Sequence, residues 1–144
     1  MWKRLLPTVA GIVLMLALAG CLDDTGGPGH DCLCTGQFVQ VIIAVVDASG
    51  EPVALAELEV TLVRTGETFD LSILPSDPSI GLYGIFTDSF LNRISWQYQG
   101  IGEELRVVGR MKDTEFTETY RVGVTDECRC HVKKISGPDT VVVE

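Results

Sequence analysis

Two Cys-x-Cys pairs, Cys32 with Cys34 near the start of this 144-residue chain and Cys128 with Cys130 near its end, are the residues whose spacing points most directly to chemistry. In an extended chain residues two apart face the same side, so each pair presents both sulfurs together. In an oxidising compartment such an even set reads first as disulfides. Three connectivities are open. Antiparallel neighbours, the arrangement favoured here, join Cys32 with Cys130 and Cys34 with Cys128. Parallel neighbours join Cys32 with Cys128 and Cys34 with Cys130, and the third scheme closes each pair on itself. The alternative chemistry is a metal site, with Cys32, Cys34, Cys128 and Cys130 as thiolates and His131 or His30 as imidazole ligand. Structural zinc sites commonly leave two or more residues between cysteines, so the spacing favours bridges. A redox-active thiol is weaker still, because only Arg129 and His131 bring positive charge near these sulfurs.

Other reactive residues are sparse. The chain has two histidines, with no His-Glu-x-x-His helix motif and no Gly-x-Ser-x-Gly elbow. His131 is expected to hold a structural hydrogen bond, and His30 lies in a Gly-rich segment. Glu57 with Glu59 and Glu103 with Glu104 have the composition of acid and base pairs but read as solvated strand faces. Asp126 and Glu127, together with Asp47 and Asp88, would supply carboxylates to calcium, without EF-hand spacing. Trp96 and Tyr98, flanked by Gln97 and Gln99, have the makeup of a sugar or protein contact, with core packing or loop anchoring as the default. No catalytic residue and no cofactor is expected. With 20 acidic against 11 basic residues and a pI near 4.6, nucleic acid is an unfavourable partner.

The first 20 residues are of a different kind. Lys3 and Arg4 precede an apolar run from Val9 to Ala19, too short to span ~30 Å of hydrocarbon but suited to a signal-peptide core. Leu18-Ala19-Gly20-Cys21 resembles the lipobox of bacterial lipoproteins. That resemblance implies cleavage after Gly20, acylation of Cys21 and attachment to the membrane through the acyl chains, palmitate among them. An uncleaved anchor helix from Leu5 to Leu22 is the alternative. Because Leu22 rather than Asp follows the cysteine, the resemblance favours the outer membrane over the inner one. Without Lys3 and Arg4 the chain keeps 20 acidic residues and loses two bases, so anionic head groups would repel it and the lipid must do the anchoring.

These features divide the chain into a signal peptide (1–20), an acylated cysteine with a flexible tether (21–36) and a folded domain (37–144). The tether stretch LDDTGGPGHD has no apolar periodicity. Beyond Gln37 the pattern is one of strands. Phe38 to Val46 is almost wholly apolar, and DASGEP supplies turn chemistry. Alternation then runs through Ala56 to Val63, Phe69 to Ile73, Leu82 to Thr87, Leu105 to Met111 and Phe116 to Val124. In the last of these Glu118 falls on the apolar face, which marks a rim or edge. Asp88 or Ser89 is placed to cap one helical turn carrying Phe90, Leu91 and Ile94, and Val132 to Ile135 and Thr140 to Val143 close the chain. About seven short strands in an antiparallel, Ig-like or transthyretin-like β-sandwich is the fold expected.

Val46-Asp47-Ala48-Ser49-Gly50-Glu51-Pro52-Val53, followed by Ala56 and Val60, resembles the opening hairpin of carboxypeptidase regulatory-like, transthyretin-like domains, and Gly81-Leu82-Tyr83 resembles their later strand start. The likeness covers roughly 38–87. It implies a non-catalytic accessory, adhesion or binding module and carries no catalytic residue onto this chain. The expected protein is therefore a lipid-anchored module of the bacterial envelope with a protein or glycan partner; the rival is a periplasmic metal-binding or thiol-redox protein.

Overall fold

Val41, Ile43 and Val45 are buried while Ile42, on the other face, is 40% exposed, so the long apolar run forms a central strand covered on one side. The computed structural model describes residues 33–125 and 128–144. In chain order its strands are β1 (Gln40–Asp47), β2 (Glu57–Leu62), β3 (Glu67–Thr68), β4 (Leu82–Thr87), β5 (Glu103–Arg110), β6 (Glu115–Val124), β7 (Val132–Ser136) and β8 (Thr140–Val143). They form a three-stranded sheet in the order β4-β1-β8 and a five-stranded sheet in the order β3-β2-β5-β6-β7. The chain is thus an all-β sandwich. Its core joins Ile43 and Val45, Val60 and Leu62, Leu105 and Val107, Tyr120 and Val122 with Ile85, Phe86 and Val141.

Apart from Phe69 to Ile73, the hydrophobic alternations feed this core from one face of a strand, and the opposite face of the five-stranded sheet is charged. There Arg110 bonds Glu57 at 2.8 Å and Glu115 at 2.9 Å, and Arg121 bonds Glu104 at 3.2 Å. The Asp47 turn forms as its residues suggest: Asp47 Oδ1 accepts from the N–H groups of Ser49 and Glu51, and Gly50 takes φ +87°.

The architecture departs from the sequence expectation in three places. β8 runs parallel to β1, pairing Ala44 with Thr140 and Asp47 with Val143, so the small sheet is mixed. The cause is the Gly137-Pro138-Asp139 link, which carries the chain from β7 across to the other sheet. Gly137 has φ +117°, and a Cβ there would lie 2.2 Å from the Tyr120 ring. The Phe69 to Ile73 alternation is not a strand: β3 stops after two residues because the Asp70 carboxylate accepts the Ser72 N–H and turns the chain into a 3-10 turn at Leu71–Ile73. The turn at Asp88–Arg93 exists, but its N-cap is Thr87, since the Asp88 carboxylate is engaged elsewhere.

Candidate functional site

The cysteines and histidine meet where the chain enters β1 and β7. Cys34 is disulfide-bonded to Cys130 with their Cα atoms 5.2 Å apart. One residue on, Thr35 Oγ1 lies 2.8 Å from His131 Nε2. Both contacts join residues 96 apart in sequence, so the two segments run side by side in the same direction. This corrects the favoured antiparallel scheme, because Cys34 cannot also pair with Cys128. That scheme assumed two strands of one ladder, whereas Cys34 and the Cys128 to Cys130 segment lie outside the strands, on lead-ins that enter the sandwich together. Cys128 is disulfide-bonded as well. Cys21, Cys32 and His30 lie outside the described residues.

Asp88 is the hub of this end. Its Oδ2 lies 2.8 Å from His131 Nδ1 and accepts the Val39 N–H at 2.9 Å, and its Oδ1 accepts the Val132 N–H at 2.8 Å. One carboxylate therefore joins the entry to β1, the exit from β4 and the entry to β7. Burial alone would raise the Asp88 pKa. The hydrogen bonds from His131 and from the backbone at Val132 and Val39 outweigh it and hold the carboxyl below its ordinary value.

The same contacts occupy those residues of the metal reading that the structure describes. Cys34, Cys128 and Cys130 are in disulfides, and both His131 ring nitrogens are spent on Thr35 and Asp88. Ligation needs thiolates and a free imidazole nitrogen. Asp47 and Asp88 of the calcium grouping are not brought together. Asp47 and Asp88 lie at opposite ends of β1, since Thr87 pairs with Gln40, roughly 20 Å apart at the rise of a strand. Asp126 and Glu127 are outside the described residues. Among the described residues no set of three or more His, Cys, Asp and Glu is gathered for a metal.

Arg129, between two bridged cysteines, has φ +53°, the one described non-glycine residue in the left-handed region. Its Nη2 donates to the carbonyls of Leu91, at 3.1 Å, and Ile94. Its guanidinium also lies 4.1 Å from the centroid of the Trp96 ring. Trp96 is 70% exposed and borders an open cavity of about 420 Å³ with Asn92, Ser95 and Ile94. Of the two default readings for Trp96, core packing or loop anchoring, core packing is corrected, because the ring is exposed with Arg129 stacked on it. Tyr98 lies under Arg64, 5.8 Å from ring centroid to guanidinium.

Glu103 corrects another reading. It is 2% exposed rather than solvated, held by Arg64 Nε at 3.0 Å and Nη2 at 2.9 Å and by the Ser95 N–H at 3.0 Å. Glu104 stays on the outer face with Arg121. Sequence reading singled out neither Thr35 nor Arg64. Its only hints were a hydroxyl beside a cysteine and an arginine beside a tight turn.

Set against protein-family models, curated proteins and solved structures, the chain gives no significant match in any of the three comparisons.

Proposed function

We propose that this protein is a lipid-anchored module of the bacterial envelope that binds a partner and catalyses no reaction. The observation that carries this reading is the way its potentially reactive groups are used. Cys34 and Cys130, both ring nitrogens of His131 and both oxygens of Asp88 join chain segments to one another. A disulfide spanning the domain also suits an oxidising compartment, the destination implied by the lipobox-like Leu18-Ala19-Gly20-Cys21. Outer-membrane placement rests on Leu22. The likeness of the Val46 to Val53 hairpin to carboxypeptidase regulatory-like domains supports an accessory role. The exposed Trp96, beside Asn92, Ser95 and Arg129, offers an aromatic platform to a glycan or protein.

Intact mass of membrane-extracted protein, with and without reductant, tests this reading. Loss of residues 1–20, acyl mass on Cys21 and a gain of two hydrogens per bridge on reduction are expected. An unprocessed chain with free thiols overturns it.

A second reading has one observation in its favour. Thr35, His131 and Asp88 are linked in the order hydroxyl, imidazole, carboxylate, as in an acyl-transfer triad.

A further inference from the structure

The sandwich is left open along one side. β7 pairs only with Arg121 to Val124 of β6, so Glu115 to Tyr120 have a strand neighbour on the β5 side alone. Opposite them lies β8, whose one strand neighbour among the described residues is β1. At the mouth of this seam Phe116 and Glu118 belong to the inward face of β6 yet are only half-buried, and Tyr120, deeper on that face, is fully buried. The Tyr120 hydroxyl is buried without a hydrogen-bond partner among the described residues. An open cavity of about 320 Å³ is lined by Met111, Thr114 and Phe116 on one side and Val142, Val143 and Glu144 on the other.

Among the described residues the other sheet edges are protected and β8 is not. β3 has two residues, β4 is bridged by Asp77 at Leu82, and β7 carries Lys133 and Lys134 beside a register shift in β6. Such devices block edge-to-edge pairing. β8 reads Thr-Val-Val-Val, with no charge, proline or bulge. The Ala44 N–H bonds the Asp139 carbonyl, so in a parallel ladder Asp139, Val141 and Val143 face β1, and the N–H and C=O of Thr140 and Val142 point out of the edge.

We infer that β8 is a strand-addition site for an extended partner segment that alternates apolar and basic residues. Its backbone would pair with Thr140 and Val142, and one apolar side chain would enter the cavity beside Phe116. A basic side chain would reach Glu118 or Glu144, neither of which has an ion-pair partner among the described residues. Backbone pairing would supply affinity and these side-chain sites selectivity. A second copy of the chain is the less suitable occupant. Each chain carries a formal charge of -9, so two copies repel one another. This inference deepens the binding-module reading but is independent of the anchor, because acylation and strand addition are measured separately.

The test uses the full chain in detergent and a capped peptide of alternating Val and Lys, with an alternating Val and Glu peptide as control. Saturable binding of the Val/Lys peptide with Kd on the order of 10 to 100 µM is expected, together with at least tenfold slower hydrogen exchange over 140–144. Val142→Pro removes an outward N–H and no β1 hydrogen bond. It should keep the thermal midpoint and weaken binding at least tenfold. Glu118→Lys should shift preference toward the Val/Glu peptide. No binding to the folded protein, unchanged binding by Val142→Pro, or concentration-dependent protection of 140–144 without peptide would overturn the inference, the last by assigning the edge to a second copy.

Discussion

Asp88 Oδ2 and His131 Nδ1 lie 2.8 Å apart across 43 residues of sequence, both side chains almost buried, at the point where three chain segments converge. The pair is a cross-link without a covalent bond. Removing the carboxylate leaves the Val39 and Val132 N–H groups without an acceptor as well as the imidazole. Each buried donor left unpaired costs ~1–3 kcal/mol, less where water reaches it. Asp88→Ala should therefore lower stability by about 3 kcal/mol in urea unfolding, and His131→Ala by less, because it leaves both backbone bonds intact. Equal losses would contradict the hub role.

The same carboxylate makes stability depend on pH. Its folded pKa is below its unfolded value, so the folded state binds fewer protons. The resulting stabilisation is present above the ordinary carboxylate range near ~4 and is lost as pH falls through the lowered folded value. Asp47 and Asp70, held low chiefly by Ser49 and Ser72, act in the same direction at the surface. Urea midpoints measured from pH 7 to 2.5 should fall most steeply at the acid end, and Asp88→Asn should flatten that fall.

Non-reducing peptide mapping should recover Cys34 joined to Cys130. A closed loop of this length is worth ~4–5 kcal/mol in the chain-entropy model, and less where another bridge already joins the same segments. Reduction should also be visible at Trp96. Arg129 sits between Cys128 and Cys130 and stacks on that ring, so freeing the segment should shift indole emission. Arg129→Ala should give the same shift without reductant.

Arg64 and Glu103 should respond unequally to substitution. Glu103 is 2% exposed and Arg64 37%. Arg64→Ala strands a buried carboxylate, at ~3–5 kcal/mol for a fully buried pair and somewhat less here. Glu103→Gln leaves an arginine that can turn to water and keeps an acceptor for Ser95. Thermal unfolding should rank Arg64→Ala as the more damaging change.

An active-site-directed fluorophosphonate distinguishes the two functional readings. The binding-module reading expects no labelling of the folded chain. Labelling at Thr35 that disappears in His131→Gln would favour acyl transfer.

The strands were readable wherever one face had to be buried, since period-two alternation is the only pattern that buries one side of a strand. Glu118, an acid on an apolar face, pointed to the rim where it lies. What alternation does not encode is which distant segments meet. The parallel β1 and β8 pair depends on a crossing at Gly137, and the Cys34 to Cys130 link depends on the shared course of two lead-ins. The burial of Glu103 depends on Arg64, 39 residues away. Asp70 shows local polar chemistry overriding alternation, because its carboxylate rewards a turn where the apolar residues alone suggested a strand.

The bridge at Cys34 also determines how the domain would bear tension. A pull applied through the lead-in to β1 is passed in part into Cys130 across a covalent bond, ahead of the first hydrogen bond of β1. The load is divided between lead-ins to two different sheets. That shared load shields β1 from being unzipped from β4 on its own, so the oxidised domain pulled through its β1 lead-in should be mechanically stiffer than its reduced form.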